Sequence, residues 1–475
     1  KLSSEVHPAL AFFALWGAVG WLTMVEGGQG SLVGLAPVNR ELYKDSHKIA
    51  YRCSKISHKG DSLDRYLLGR QFMVVMVVFT VNMSGGPLEG AAIWGFPQVV
   101  LNIFLTSGLA MILITCMVGQ LNSQVNASHH MLDYLNNYFG LFTLWVANAI
   151  EFSGLLHSSY VIQLLVGLLA GQPIESNDEP RTGIETVFFW FRCLMSLAIL
   201  AFCIAVTMVA LFNDQTTMWD GVPAGVSVVV FFFLMCVVGM LEGMQIAFFA
   251  VAKKTSAERG EGVFAKKTCK LLYFGEGNNL PGFMIGRQLM VVSCMFFVAR
   301  VTSVKLEGDE ENIFGVSDAA QELFNTGLLG ALMLTILGSI SWQLVASAFP
   351  LAFMRSPITY VLLRICLGLE CTGICQGAWV LAAVHKKIAG FQRDEVYIGT
   401  AAERAKQEMS DDPDQLQLGA GHLVKLPGFS DNAPKALQRL LRKDPSVSQY
   451  INSIVDGIES QHGSENGSEL GTPRK

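Results

Sequence analysis

Apolar and polar positions along this chain alternate on the scale of whole helices. Residues 71–88, 90–132, 134–150, 152–174, 193–213, 221–241 and 323–354 contain no Asp, Glu, Lys or Arg. About 20 apolar residues carry a helix across a bilayer. The runs predict nine spans, near 8–35, 66–86, 96–118, 138–170, 187–212, 222–251, 283–304, 320–341 and 357–384. Residues 119–137 are polar and weakly amphipathic. Residues 342–356 contain Pro350 and are expected to form a short helix or a re-entrant piece. From about 386 the chain turns charged and rich in Ser, Asp and Gly, with short amphipathic patches and an end expected to be disordered.

Composition agrees with the pattern. The chain is 51% hydrophobic and 15% charged, with mean hydropathy +0.40, whereas a soluble chain is about a quarter charged. The class is an all-α polytopic membrane protein in contact with a lipid bilayer. The ten cysteines show no disulfide spacing. Cys371 and Cys375 lie one helical turn apart, and buried spectator thiols are the expected reading. The chain contains neither HExxH nor GxSxG, and His157 is the only histidine well inside a span. Neither an enzyme, with catalytic residues or a cofactor, nor a metal protein is indicated, and nothing points to nucleic acid.

The chain also repeats itself. "EGGQ" (26–29) returns as "EGMQ" (242–245), and "GRQFMVV" (69–75) as "GRQLMVV" (286–292). "GQLNSQVNAS" (119–128) aligns with "GSISWQLVAS" (338–347), and "EFSG" (151–154) with "ECTG" (370–373). The offsets stay between 216 and 219 residues, so the protein is expected to hold two copies of one helical unit. Five steps separate the first motif helix from its copy. An odd number places the copies in opposite orientations, an inverted repeat of the kind found in secondary transporters. The unit has five helices, so ten spans are expected, with the opening helix of the first copy preceding Lys1. The domains are then 1–170, the first membrane repeat; 187–385, the second; and 386–475, a soluble tail.

Loop charges set the orientation. Segment 39–65 holds seven Lys/Arg against four acids and is expected on the cytoplasmic side, which makes the tail cytoplasmic too. Segment 253–282, with six Lys/Arg, conflicts with that count because it falls outside.

Ionisable groups inside a span normally face the protein interior or a water-filled path. Glu26 and Gln29 are three apart on one helix face, and Arg70 and Gln71 open the next span. Glu242, Gln245, Arg287 and Gln288 repeat the arrangement. Donors, acceptors and amides that do both are supplied without net charge. This suits a small neutral polyhydroxyl solute better than an anion or a quaternary amine. A structural Glu–Arg bridge is the plain alternative, but it leaves the matched glutamines unexplained. Glu151 and Glu370 sit at equivalent depths, and Gln124 and Gln343 match as well. These four are sodium-ion or supporting candidates, with plain interhelical hydrogen bonding preferred for the two glutamines. Arg192, Arg300 and Arg364 have no matched copies and are expected to pair locally or reach the interface.

Two "EGxQ" and two "GRQ" motifs in a ten-span plan resemble the silicon (silicic acid) transporters of diatoms and other silicifying eukaryotes, over about residues 1–390. The resemblance implies sodium-coupled uptake of orthosilicic acid across the plasma membrane, with the eight motif residues on the substrate path. Many diatom members carry Cys-Met-Leu-Asp between the fourth and fifth spans. Here the stretch is "HMLD" (130–133), where His129, His130 and Asp133 are either an ordinary polar loop or a metal site. A long C-terminal coiled coil is not evident. A passive channel, or a carrier of boric or arsenous acid, shares the same polar path. Oligomeric state is left open.

Overall fold

The structure is a computed structural model and describes residues 7–36, 38–84, 95–171, 182–219, 221–252, 262–273, 279–306 and 311–399. The tail beyond 399 lies outside the described residues. Residues up to Tyr397 form one compact unit.

Helices build almost all of it. In chain order they are α1 (Pro8–Leu35), α2 (Lys48–Ser57), α3 (Ser62–Ser84), α4 (Gln98–Leu105), α5 (Leu109–His129), α6 (Met131–Leu135), α7 (Tyr138–Phe152), α8 (Ser158–Ala170) and α9 (Gly183–Phe212). There follow α10 (Ala224–Ala252), α11 (Val263–Tyr273), α12 (Leu280–Thr302), α13 (Asp318–Asn325), α14 (Leu328–Ala348), α15 (Pro350–Arg355), α16 (Pro357–Cys371) and α17 (Gly377–Ala389). Among the described residues six helices are long and apolar enough to cross a membrane, or seven with the bent pair α4–α5 taken as one. This is an all-α polytopic membrane protein.

The first eight helices and the last eight correspond in order, with α9 between them. Both α5 and α14 contain seven residues of wide, π-type turns, Thr115–Leu121 and Leu334–Ile340. Such turns concentrate at functional sites. Packing within each set also corresponds: α1 lies on α3 and α5 as α10 lies on α12 and α14. Packing between the sets is reciprocal. The helices α3 and α12 touch each other, α5 packs on α17, and α14 packs on α8. Any side chain at Gly108 would strike Phe296, and one at Gly327 would strike Phe79.

Several boundaries differ from those the hydropathy pattern predicts. Residues 119–129 were expected outside the third span, yet α5 runs on to His129 as helix. Several of its polar groups find partners inside the protein: Gln120 Nε2 and Gln124 Nε2 donate to Glu26, and Ser123 Oγ donates to the Gln120 carbonyl at 2.7 Å. The eighth span begins at Leu328, not 320, and continues to Ala348, while α13 is a separate short helix. Residues 350–355 form the short helix expected near Pro350. The basic segments carry the short amphipathic helices α2 and α11.

The fourth and last expected spans are each broken, at 153–157 and 372–376. Gly154 (φ 81°) and Gly373 (φ 72°) take the left-handed backbone these breaks require. A break at membrane depth frees backbone groups that need new partners. For the first break α9 supplies them: Ser196 Oγ donates to the Leu155 carbonyl at 2.7 Å and accepts from the Ser158 amide at 3.0 Å.

Candidate functional site

Glu26 and Gln29 stand on α1, and Arg70 and Gln71 on α3. These two helices pack on each other, and Gly69 lets α3 press against α7. An added Cβ there would lie 1.8 Å from the Ala147 carbonyl oxygen. At Gly286 of α12 the same Cβ would meet the Cys366 carbonyl oxygen of α16, again at 1.8 Å. The glycines of the two GRQ motifs are therefore packing residues. The glycines of EGxQ make room for rings: a Cβ at Gly27 would overlap Tyr134, and one at Gly243 would overlap Phe353.

With α3 against α12, all eight predicted residues line one cavity: Glu26, Gln29, Arg70, Gln71, Glu242, Gln245, Arg287 and Gln288. Gln120, Gln124, Val74, Val291 and Met295 complete the lining. Arg70 Nη1 lies 3.3 Å from Glu26 Oε2, and Arg287 Nη1 lies 3.1 Å from Glu242 Oε1. The second nitrogen of each guanidinium donates to the next residue, Arg70 to Gln71 Oε1 and Arg287 to Gln288 Oε1. Gln124 Nε2 donates to Glu26 Oε2 at 3.0 Å, and Gln343 Nε2 to Glu242 Oε2 at 2.8 Å. The glutamates and arginines are 95% or more buried. Two acids and two guanidiniums cancel, so the site has no formal charge.

Not every polar atom is used. Arg70 Nε, Arg287 Nε and Gln120 Oε1 are buried and have no hydrogen-bond partner. Gln29 and Gln245 line the cavity half-buried. Orphaned buried donors and acceptors carry a desolvation cost of about 1–3 kcal/mol each, and these three belong to residues that line the cavity. Its volume is about 10 Å³, room for one water at most. In this conformation the space between the two sets is narrow.

Gln124 and Gln343, named with the ion candidates but read first as interhelical hydrogen-bonding groups, make such bonds to the two motif glutamates. Gln120 was missed. Its repeat partner is Ser339, so comparing the two copies hides it, although it lies one turn from Gln124 on the same face. Glu151 and Glu370 are not part of this site. They end α7 and α16 just before the two breaks. Glu151 Oε1 lies 3.8 Å from His157 Nε2. Glu370 lines a separate cavity of about 290 Å³ with Ile285, Cys375, Gln376 and Trp379.

The HMLD stretch fastens the chain that follows α17. Gln392 donates its amide to Asp133 Oδ2 at 2.6 Å, and its carbonyl oxygen lies 2.8 Å from His130 Nδ1. The Asp394 carboxylate accepts the amides of Met131 and Leu132, both at 2.9 Å, which caps α6. Asp133 Oδ1 also lies 3.1 Å from His47 Nε2. These groups are spent on structure, and among the described residues no cluster of three His, Cys, Asp or Glu could hold a metal ion. The unmatched arginines pair locally: Arg192 with the Phe152 carbonyl, Arg300 with the Thr217 carbonyl and Arg364 with the Tyr360 hydroxyl.

Neither a curated protein nor a solved structure matches the chain. The sequence model of the silicon transporter family matches residues 1–461. A multi-pass helical membrane protein matched over nearly its full length is thereby placed: the chain belongs to the silicon transporter family, a family of transporters and not of enzymes.

Proposed function

We propose that the protein is a secondary active transporter that takes up orthosilicic acid with sodium across the plasma membrane, by alternating access at the Glu/Gln/Arg cavity. The observation that supports this reading is the cavity itself. It is uncharged overall, is built from two matched sets, and keeps unused donors and acceptors on its wall. Si(OH)₄ is neutral near pH 7 and carries four hydroxyls that both donate and accept. Removing its water is unfavourable unless each hydroxyl finds a partner. Arg70 and Arg287 donate, Glu26 and Glu242 accept, and Gln29, Gln245, Gln71 and Gln288 do both.

The two helix sets are read as an inverted repeat with the cavity near the midplane and the tail cytoplasmic, on the odd count of spans between copies. That count takes the bent pair α4–α5 and the broken pair α7–α8 as one span each. The narrowness of the cavity, about 10 Å³, favours a carrier over an open channel, because conduction needs a continuous path. One set of helices rocking against the other opens the cavity to either side. Glu151 and Glu370, each beside a helix break with freed backbone carbonyls, are the proposed sodium ligands.

Silicic acid uptake into proteoliposomes with and without an inward sodium gradient tests the reading. Uptake is expected to need the gradient and to fall in Gln29→Ala and Gln245→Ala. Uptake that ignores sodium and rises linearly with concentration, without saturating, refutes the symport.

A further inference from the structure

Outside the cavity, two thiols from different parts of the chain face each other inside the membrane region. Cys116 stands in the wide turns of α5, and Cys375 in the break between α16 and α17. Their Sγ atoms are 4.0 Å apart. Both are buried, in a cluster with Ile112, Leu289, Val292 and Phe296. The repeat partners of these positions are Thr335 and Leu156, so the contact exists on one side of the molecule only. It joins the first helix set to the second, at the two irregular elements where regular helix hydrogen bonding is interrupted.

We propose that Cys116 and Cys375 are an oxidation site: a hydroperoxide converts them to a disulfide that staples the two halves together and stops transport. A disulfide needs the sulfurs about 2 Å apart, so they must approach by roughly 2 Å. The break at 372–376 gives Cys375 backbone that is not held in a regular helix. Cys375 also lines the cavity of about 290 Å³, where a small neutral oxidant such as hydrogen peroxide can meet it.

The chemistry balances. The Cys375 sulfur attacks one peroxide oxygen, an S–O bond forms and the O–O bond breaks. The departing hydroxide leaves as water with the thiol proton. Cys116 then attacks the resulting sulfenic sulfur, the S–S bond forms, the S–O bond breaks, and the Cys116 proton leaves with hydroxide as a second water. Two thiols and one H₂O₂ give one disulfide and two waters. Arrest of transport rests on the proposed rocking of the two sets. Formation of the bond does not.

The test uses the full chain in proteoliposomes exposed to hydrogen peroxide, with two readouts: mass spectrometry of proteolysed protein, and silicic acid uptake. A peptide pair linked through Cys116 and Cys375 is expected. Uptake should fall by roughly tenfold or more and return when dithiothreitol reduces the bond. Cys116→Ala is expected to transport normally and to resist peroxide. If peroxide oxidises the exposed Cys236 and Cys371 while no 116–375 linkage forms, the site is refuted. If the linkage forms and uptake continues, the staple is refuted, and rocking with it, while silicic acid transport itself still stands.

Discussion

Consider removal of one charge from the second half of the cavity. Glu242 is 5% exposed and Arg287 3%, and their closest atoms are 3.1 Å apart. Glu242→Gln preserves the side chain's shape but leaves the guanidinium buried without its counter-ion. Breaking a buried pair in this way costs about 3–5 kcal/mol. That is a large part of the 5–15 kcal/mol typical of a folded protein. The double change Glu242→Gln with Arg287→Met removes both charges. Replacing a whole buried pair by neutral groups is often nearly neutral for stability. Thermal unfolding in detergent should therefore show a marked loss in the single variant and substantial recovery in the double one. Uptake should be lost in both, because the double variant is stable yet lacks the acceptor and donor for the substrate. This separates the pair's part in holding the helices from its part at the substrate. A single variant as stable as the wild type would refute the burial argument. A double variant that transports like the wild type would refute the recognition argument.

Gly286→Ala places a Cβ against the backbone oxygen of Cys366, which no side-chain adjustment can relieve. It is expected to destabilise by about 1–3 kcal/mol or more, seen as a smaller monodisperse fraction on size-exclusion chromatography. Gln120→Ala removes one hydrogen bond to Glu26 and the orphaned acceptor beside it. The lost bond to a charged group, worth about 1.5–3 kcal/mol, and the removed orphan, costing about 1–3 kcal/mol, roughly offset, so the melting temperature should change little, while KM for silicic acid should rise by roughly two- to tenfold for the one acceptor the substrate loses. Asp394→Ala leaves the amides of Met131 and Leu132 uncapped and should lower stability by about 1 kcal/mol, measured as a lower melting temperature. His58 is half-buried with Nε2 2.9 Å from the Leu32 carbonyl, and burial pushes its pKa below the ordinary imidazole value. The unfolded chain then binds the proton first as pH falls. Stability from the neutral ring is therefore full above about pH 6.5 and is lost below it. Between pH 7 and 5 the wild type should lose more melting temperature than His58→Gln.

Sequence alone determined that this chain is helical, lies in a membrane, and has acids, guanidiniums and amides recurring at a fixed interval in two stretches. Hydropathy carries the first two because lipid leaves the backbone no hydrogen-bonding partner outside a helix. The recurrence carries the third, since charge in lipid is too unfavourable to be incidental. Only tertiary structure decided that α3 and α12 meet, so that the two sets share one cavity. That contact joins residues more than 200 positions apart. Tertiary contact also decided that residues 119–129 stay helical. Their polarity sets them outside the apolar span until Glu26 is seen accepting from Gln120 and Gln124. The breaks at 153–157 and 372–376 lie within continuous apolar stretches, because a side chain's hydropathy does not record which backbone carbonyls a neighbouring helix can satisfy. Cys375 showed the same limit: its spacing pointed to Cys371, and the fold gave it Cys116.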